Sequence, residues 1–569
     1  MTDIRRTILW VVFASSLVLL WDSWQRHNGH PSLFNLAPRP AATSGAAPGP
    51  AAATTTTTSS ATLPAAAATA TPGALPAVAV AASAPAAAAS EKVTITTDLM
   101  SATLDTRGGD LVRLELLQHK DANDPQRHVM LFEHSAQRAY SAQTGLITTQ
   151  AGVALPNHLT PMTLLPGERT LANGANDLSL SFASSDVGGV RLVKTYTFHR
   201  GEYTIGVRHE VKNDSAAPIA PQLYLQLVRD GNVDASSMFM APTSYTGPAI
   251  YTEASKFHKI EFTDIAKGKD EHDKTADNGW VAMVQHYFTT AWLVNAKQPR
   301  EFRTAKVGDN LYSVAMVLPL GELAPGASKS QDAVLFAGPQ EERKIEELAP
   351  GLELVKDYGW LTILAKPLFW LLDQLHKLLH NWGWAIVALV VLLKIAFYWL
   401  NASAYRSMGK MKAINPRVME LRERYKDKPQ QMQQEMMRIY REEKVNPIGG
   451  CLPIVVQMPF FIALYWVLLS SVEMRNAPWI GWITDLSTKD PFYILPLLMT
   501  ASTMFQTWLN PTPPDPVQAK MMWLMPLLFS VMFFVFPAGL VLYWLTNNVL
   551  GIAQQWFINK QLGLNTMKK

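Results

Sequence analysis

Cysteine is almost missing from this 569-residue chain: Cys451 is the single example. One thiol cannot form an internal disulfide, so cysteine usage says little about redox compartment. Set in an apolar stretch, Cys451 reads as a small buried hydrophobe rather than a reactive group. Charge is scarce too, with 17% charged residues against 48% hydrophobic, where soluble domains average about 25% charged. The net charge of +4 is too small to point to nucleic acid, and the position of the basic residues matters more than their sum. No His/Cys/Asp/Glu group has metal-ligand spacing and no hydrolase or transferase constellation stands out. A metal, a cofactor and chemical catalysis are therefore not expected. His286, in QHYF, reads as a satisfied core or surface histidine.

What the chain does have is unevenly distributed. Arg5 and Arg6 precede an apolar run from Ile8 to Leu20, and Trp21, Asp22 and Trp24 follow where a signal peptide would place small cleavage-site residues. Residues 1–24 are thus expected to form an uncleaved signal anchor with the arginines left in the cytoplasm. From about Pro38 to Ser90 the composition collapses to Ala, Pro, Thr and Ser, with too little large apolar surface to offset the entropy of ordering, and residues 25–90 read as a disordered tether. From 91 to 340, short stretches of alternating polarity are broken by glycine turns. KVTITTDLMSATLDT and DLVRLELL flank Gly108 and Gly109, while VRLVKTYTF and EYTIGVRHEV flank Arg200 and Gly201, with Tyr203, Ile205, Val207 and Val211 on one face. That pattern predicts an all-β, sandwich-like domain outside the cytoplasmic membrane.

Residues 350–380 carry leucines at helical spacing, from Leu361 to Leu378, with polar residues elsewhere on the wheel and tryptophans near both ends. This predicts an amphipathic helix in the membrane interface. Five apolar segments follow, from about Trp384–Leu400, Ile448–Ser471, Phe492–Leu509, Met521–Phe536 and Gly539–Trp556. With the anchor they make six expected transmembrane helices, five of them a core over 381–557. The loop 401–447 holds eleven lysines and arginines, whereas the loop after Ser471 holds Arg475 and Lys489. The positive-inside rule puts the first loop, both termini and the tail 558–569 in the cytoplasm.

The loop 401–447 reads as a helical hairpin broken near Asp427 to Pro429. Met408, Met411, Met432 and Met436 are candidate contacts on it for a nascent apolar chain or its ribosome, since methionine adapts to varied partners. A solvated basic hairpin near anionic lipid is the plainer alternative. Lys394 is the anomaly, a cation within VVLLKIAFYW. At the centre of a spanning helix it would cost roughly 2.5–3.5 kcal/mol. A solute transporter would also place a lysine at mid-membrane, but no internal repeat is apparent. An envelope scaffold or sensor would explain the outer domain and leave Lys394 without purpose.

KVNPIGGCLPIVVQMPFFIALYWVLLSSVE, DPFYILPLLM at Asp490–Met499 and FPAGLVLYWLTNNVLGIAQQW at Phe536–Trp556 resemble the YidC membrane protein insertases, which are related to insertases of mitochondria and chloroplasts. GWVAMVQHYFTTAW at Gly279–Trp292 and PGLELVKDYGWLTILAKPLFW at Pro350–Trp370 extend the resemblance into the outer domain, in the manner of Gram-negative members. The resemblance implies an inner-membrane protein that inserts and chaperones nascent integral membrane proteins, alone or with the Sec translocon. It implies a hydrophilic groove in the inner leaflet carrying one cation, and Lys394 falls at that position, where the family more usually has arginine. Gln457, Gln506, Tyr543, Thr546 and Asn547 are candidates for hydrating the groove. Met458, Phe460 and Phe461 are candidates for an apolar slide for the client helix. Expected partners are nascent membrane proteins, the Sec translocon, the ribosome and lipid, with no specific nucleic-acid sequence.

Overall fold

The computed structural model describes residues 90–561 apart from 122–123, 125, 136–137, 233–244, 426–427, 444–451 and 511–515. The expected anchor, nearly all of the tether, Cys451 and the tail beyond 561 lie outside the described residues, as does the side chain of Met408. All described residues belong to one compact unit.

Two nine-stranded sheets form the first half. One runs through Lys92–Thr96, Met100–Asp105, Asp110–Lys120, His128–His134, Ala139–Ile147, Gln222–Asp230, Leu311–Pro319, Arg300–Gly308 and Thr275–Ala276. The other runs through Lys256–Lys259, Gly247–Thr252, Trp280–Val284, Phe288–Leu293, Ser328–Pro339, Thr204–Asn213, Val190–His199, Asp177–Ser184 and Met162–Leu164. Neighbouring strands pair antiparallel, as in Val190–His199 with Thr204–Asn213. Period two decides which side chains meet: in Thr204–Asn213 the buried positions are Ile205, Val207, His209, Val211 and Asn213. One apolar cluster draws on both sheets, and Trp292 Nε1 on one donates to the Gln226 carbonyl on the other at 3.2 Å. The arrangement is therefore a sandwich closed around a shared core.

Polar groups cross that core as well. The Lys194 ammonium is fully buried and donates to the carbonyls of Gly108 at 2.5 Å and Thr144 at 2.7 Å, with Asp110 at 3.6 Å. His209 shares a hydrogen bond of 2.9 Å with the Thr144 hydroxyl. The turn that presents the Gly108 carbonyl needs glycine twice: Gly108 and Gly109 have φ of 77° and 64°. A side chain on Gly108 would also meet the His158 carbonyl oxygen at 2.2 Å.

The second half is helical. The short helices α1 (Phe262–Lys267) and α2 (Glu342–Leu348) precede α3 (Thr362–Leu379), α4 (Trp382–Ala396), α5 (Tyr398–Arg424), α6 (Pro429–Glu442), α7 (Leu452–Ser470), α8 (Ile494–Leu509), α9 (Pro516–Ser530) and α10 (Ala538–Gln561). Helix α3 buries Ala365, Leu368, Phe369 and Leu372 in the same cluster as Ile386, Leu464 and Val541, and leaves Ile363, Trp370 and Leu378 exposed. Asn381 fixes the start of α4: its side-chain oxygen accepts from the Trp384 amide at 3.0 Å while its nitrogen donates to the Pro478 and Trp479 carbonyls.

The apolar segment expected to run unbroken from Trp384 to Leu400 is instead two helices, meeting at Phe397 with a bend of 65°. Neither proline nor glycine marks that bend. Contacts with α7 flank it: the Phe397 ring packs edge-on to Phe460 at 5.1 Å, and Gln457 binds Asn401 one turn later. Among the described residues no single helix is both long and apolar enough to cross a membrane, and this bent pair is the one candidate by length and composition.

Candidate functional site

Four elements converge on an open cleft of about 200 Å³. Helix α4 contributes Val390, Leu393 and Lys394, the bend contributes Phe397, and α5 contributes Asn401. Helix α7 adds Gln457, Met458, Phe460 and Phe461, and α10 adds Tyr543 and Asn547. Helical spacing explains each set. Residues 390 and 394, 457 and 461, and 543 and 547 are four apart, so each pair stacks on one face of its helix.

The cleft has a wet side and a greasy side. Lys394 is half-buried and, among the described residues, makes no hydrogen bond or ion pair. Its ammonium lies over Gly551 on α10, where an added β-carbon would be 3.5 Å from Nζ, 3.7 Å from Gln506 Nε2 and 3.7 Å from the Tyr405 hydroxyl. The lack of a large side chain at Gly551 leaves that space to the three polar tips. Gln457 Nε2 donates to Asn401 Oδ1 at 2.7 Å. On the greasy side Phe461 stacks on Trp544 with centroids 5.2 Å apart, and Met458 is 47% exposed.

Of the residues singled out in the sequence, Lys394, Gln457, Tyr543, Asn547, Met458, Phe460 and Phe461 line one cleft. Gln506 does not line it but approaches Lys394 across Gly551. Thr546 does not line it either, and its hydroxyl donates to the Leu542 carbonyl at 2.8 Å, within its own helix. Asn401, Tyr405, Phe397 and Gly551 were not singled out. Asn401 and Phe397 had a usable signal, being seven and three residues beyond Lys394, but a continuous helix ending near Leu400 put Asn401 in a loop.

On the basic hairpin, α5 and α6 are joined by Arg417 to Glu443 at 2.7 Å. Met411, Met432 and Met436 are only half-exposed, and among the described residues the exposed methionines of the hairpin are Met419 and Met437. His286 Nε2 is hydrogen-bonded to the Leu469 carbonyl at 3.1 Å, joining the sandwich to the end of α7. Among the described residues no group of three or more His, Cys, Asp or Glu is placed to hold a metal.

Residues 92–371 match the family profile described as YidC periplasmic domain, and residues 374–565 match the one described as 60Kd inner membrane protein. The chain is 57% identical over 567 residues to the membrane protein insertase YidC of Cupriavidus metallidurans, covering 99% of this chain and 98% of the relative. It is 56% identical over 569 residues to the protein of the same name from Cupriavidus taiwanensis, covering 99% and 98%. A crystal structure of an active YidC insertase with its first transmembrane domain resolved matches with a TM-score of 0.39 and 18% identity, over 81% of this chain and 91% of that one.

Proposed function

Because the chain belongs to the YidC family of membrane protein insertases, we propose that the cleft around Lys394 is where a client's polar flank is received as it starts across the inner membrane. The observation that carries this reading is the company Lys394 keeps: an ammonium without an ion pair among the described residues, beside amides and a phenol, in an open cleft with an aromatic wall. A client's flank carries backbone and side-chain groups that each cost several kcal/mol to strip of water in hydrocarbon. A wet recess reaching part of the way shortens that dry path. Lys394 attracts acidic residues of the flank. Met458, Phe460 and Phe461 give the client's apolar helix a surface to pack on. Nothing in this sequence of events makes or breaks a covalent bond, so the protein acts as a facilitator and chaperone without chemical catalysis.

The reading extends to topology. The sandwich, with limits near 91 and 340, lies in the periplasm; α3 lies in the interface; and six spans leave both termini and the α5–α6 hairpin in the cytoplasm. The eleven basic residues of the hairpin region support that orientation. There they suit anionic lipid and the ribosome, and the Sec translocon is a partner for larger clients. The test is reconstitution: the purified chain in liposomes, presented with a small single-span client, inserts it well above empty liposomes. Insertion no greater than that of empty liposomes would end the claim of direct activity.

A further inference from the structure

Asn401 is 93% buried, taking its 7% exposure from the whole, lines the cleft, and has a side-chain nitrogen with no hydrogen-bond partner among the described residues. An amide donor left unpaired in a buried place is destabilising until something accepts from it. Its oxygen is occupied by Gln457. Two amides joined by one hydrogen bond use one donor and one acceptor and keep the others, whichever of them donates. What remains at the cleft wall is an enclosed, unpaired donor on Asn401 and an acceptor on Gln457, together the complement of a peptide group.

We propose that the Asn401–Gln457 amide pair is a main-chain binding subsite, which hydrogen-bonds the peptide groups of an extended client segment in the cleft. This rests on the reading of the cleft as the client's entry path. A segment entering in extended form has no helix or sheet to satisfy its N–H and C=O groups, and those groups are the same in every client. The subsite therefore serves clients regardless of sequence, while Lys394 answers to side-chain charge. Two recognition modes share one cleft: a neutral one for backbone and a cationic one for acidic flanks. Asn401 holds its place because it follows the bend at Phe397, which turns the first residues of α5 across the face of α7.

The test uses the full chain in proteoliposomes and two clients that differ only in the translocated flank, one acidic and one uncharged. Asn401→Leu is expected to slow both clients about fivefold, the worth of roughly one hydrogen bond, and Lys394→Gln to slow only the acidic one. The double variant Asn401→Leu/Gln457→Leu separates recognition from helix bridging, because replacing both partners of a hydrogen bond by apolar groups is nearly neutral for folding. It should melt like the wild type and remain slow with both clients. Wild-type rates in the double variant would overturn the proposal and leave the pair as a bridge between α5 and α7. Should the double variant fail to fold, a flank carrying one backbone ester, which lacks the N–H that the Gln457 oxygen would accept, gives the same decision: it slows the wild type and does not further slow Gln457→Leu. No such difference between the two proteins overturns the subsite. If the Asn401 variants match wild type while Lys394→Gln slows acidic flanks, this inference alone fails; if neither position matters, the reading of the cleft fails with it.

Discussion

The Lys356 ammonium donates to both oxygens of Glu473, at 3.1 and 3.0 Å, across 117 residues of sequence. Lys356 leads from the sandwich into α3, and Glu473 follows α7, so this pair ties the outer domain to the helical core. The lysine side chain is fully buried, 3.9 Å above the centre of the Phe369 ring, with Glu342 also within 3.9 Å. Lys356→Met would strand a largely buried carboxylate. The expected loss is about 3 kcal/mol, at the low end for a broken buried pair, read as a lower melting temperature of the detergent-solubilised chain. Lys356→Met/Glu473→Leu should recover most of it, and failure to recover would mean that the pair does more than neutralise itself.

The buried imidazole of His209 predicts a pH dependence. Burial first, and the Lys194 ammonium second, hold it down to about 3, against 6.5 for a free imidazole. Between those values the unfolded chain binds the extra proton, so lowering pH favours unfolding. The stability owed to the neutral ring is complete above 6.5 and is lost as pH falls toward 3. Asp110 runs the other way, pushed up to about 7 by burial although Lys194 pulls it down. The clean measurement is therefore a difference. Wild type should be more stable than His209→Gln at pH 7.5, and its advantage should shrink by about 1.4 kcal/mol per pH unit below 6.5. A gap that stays constant from pH 7.5 to 5 would show that the ring is not held neutral.

Asp490 explains why DPFYILP is a unit. Its carboxylate is 1% exposed and accepts from Trp482 Nε1 and the Phe492 amide at 3.0 Å on one oxygen, and from the Leu495 amide at 2.7 Å on the other. It closes the loop and caps α8 together. Asp490→Ala leaves three donors unsatisfied, for an expected loss of about 3 kcal/mol. Asp490→Asn should be nearly as harmful, since its NH₂ group would face an N–H donor. Thermal unfolding in detergent checks both, and a harmless Asp490→Asn would contradict the two-sided acceptor role.

Much of the β half was legible because period two leaves a direct trace. Ile205, Val207 and Val211 are buried where the alternation puts them, and Gly108 and Gly109 take the positive φ that a tight turn requires. His209 shares their inward face and was passed over, since a buried polar residue looks like any other break in an apolar pattern. In the helical half, Pro429 opens α6 just after the break in the hairpin. The bend at Phe397 left no such trace, because contacts with Phe460 and Gln457 flank it rather than a local breaker. That one feature explains why Asn401 was read as loop. Thr546 spends its hydroxyl proton on the Leu542 carbonyl of its own helix, a use of a polar residue that composition cannot show.

Gly551 is expected to tolerate alanine and nothing larger. A β-carbon there would touch Lys394 Nζ at 3.5 Å and the Gln506 and Tyr405 tips at 3.7 Å, ordinary contact distances. Alanine also gains about 0.5–1 kcal/mol of helix propensity over glycine. Gly551→Ala should therefore insert clients at the wild-type rate and melt slightly higher. Gly551→Leu must push the ammonium aside and should reduce insertion without lowering expression. Wild-type insertion by Gly551→Leu would show that the position of the ammonium is not critical.

The charge of Lys394, rather than its shape, should be what matters. Among the described residues it has no carboxylate partner and no hydrogen bond that a planar fork would be needed to satisfy. Lys394→Arg keeps the cation and should insert within about twofold of wild type. Lys394→Glu turns attraction for an acidic flank into repulsion. At 5 Å and an effective dielectric near 20 each sign is worth about 3 kcal/mol, so even after screening a loss of at least about tenfold is expected. Clients with neutral flanks should lose much less, because the carboxylate still hydrates the cleft. Measured at matched abundance in proteoliposomes, equal insertion of acidic-flank clients by all three proteins would remove the electrostatic role and leave Lys394 only as the group that keeps the cleft wet.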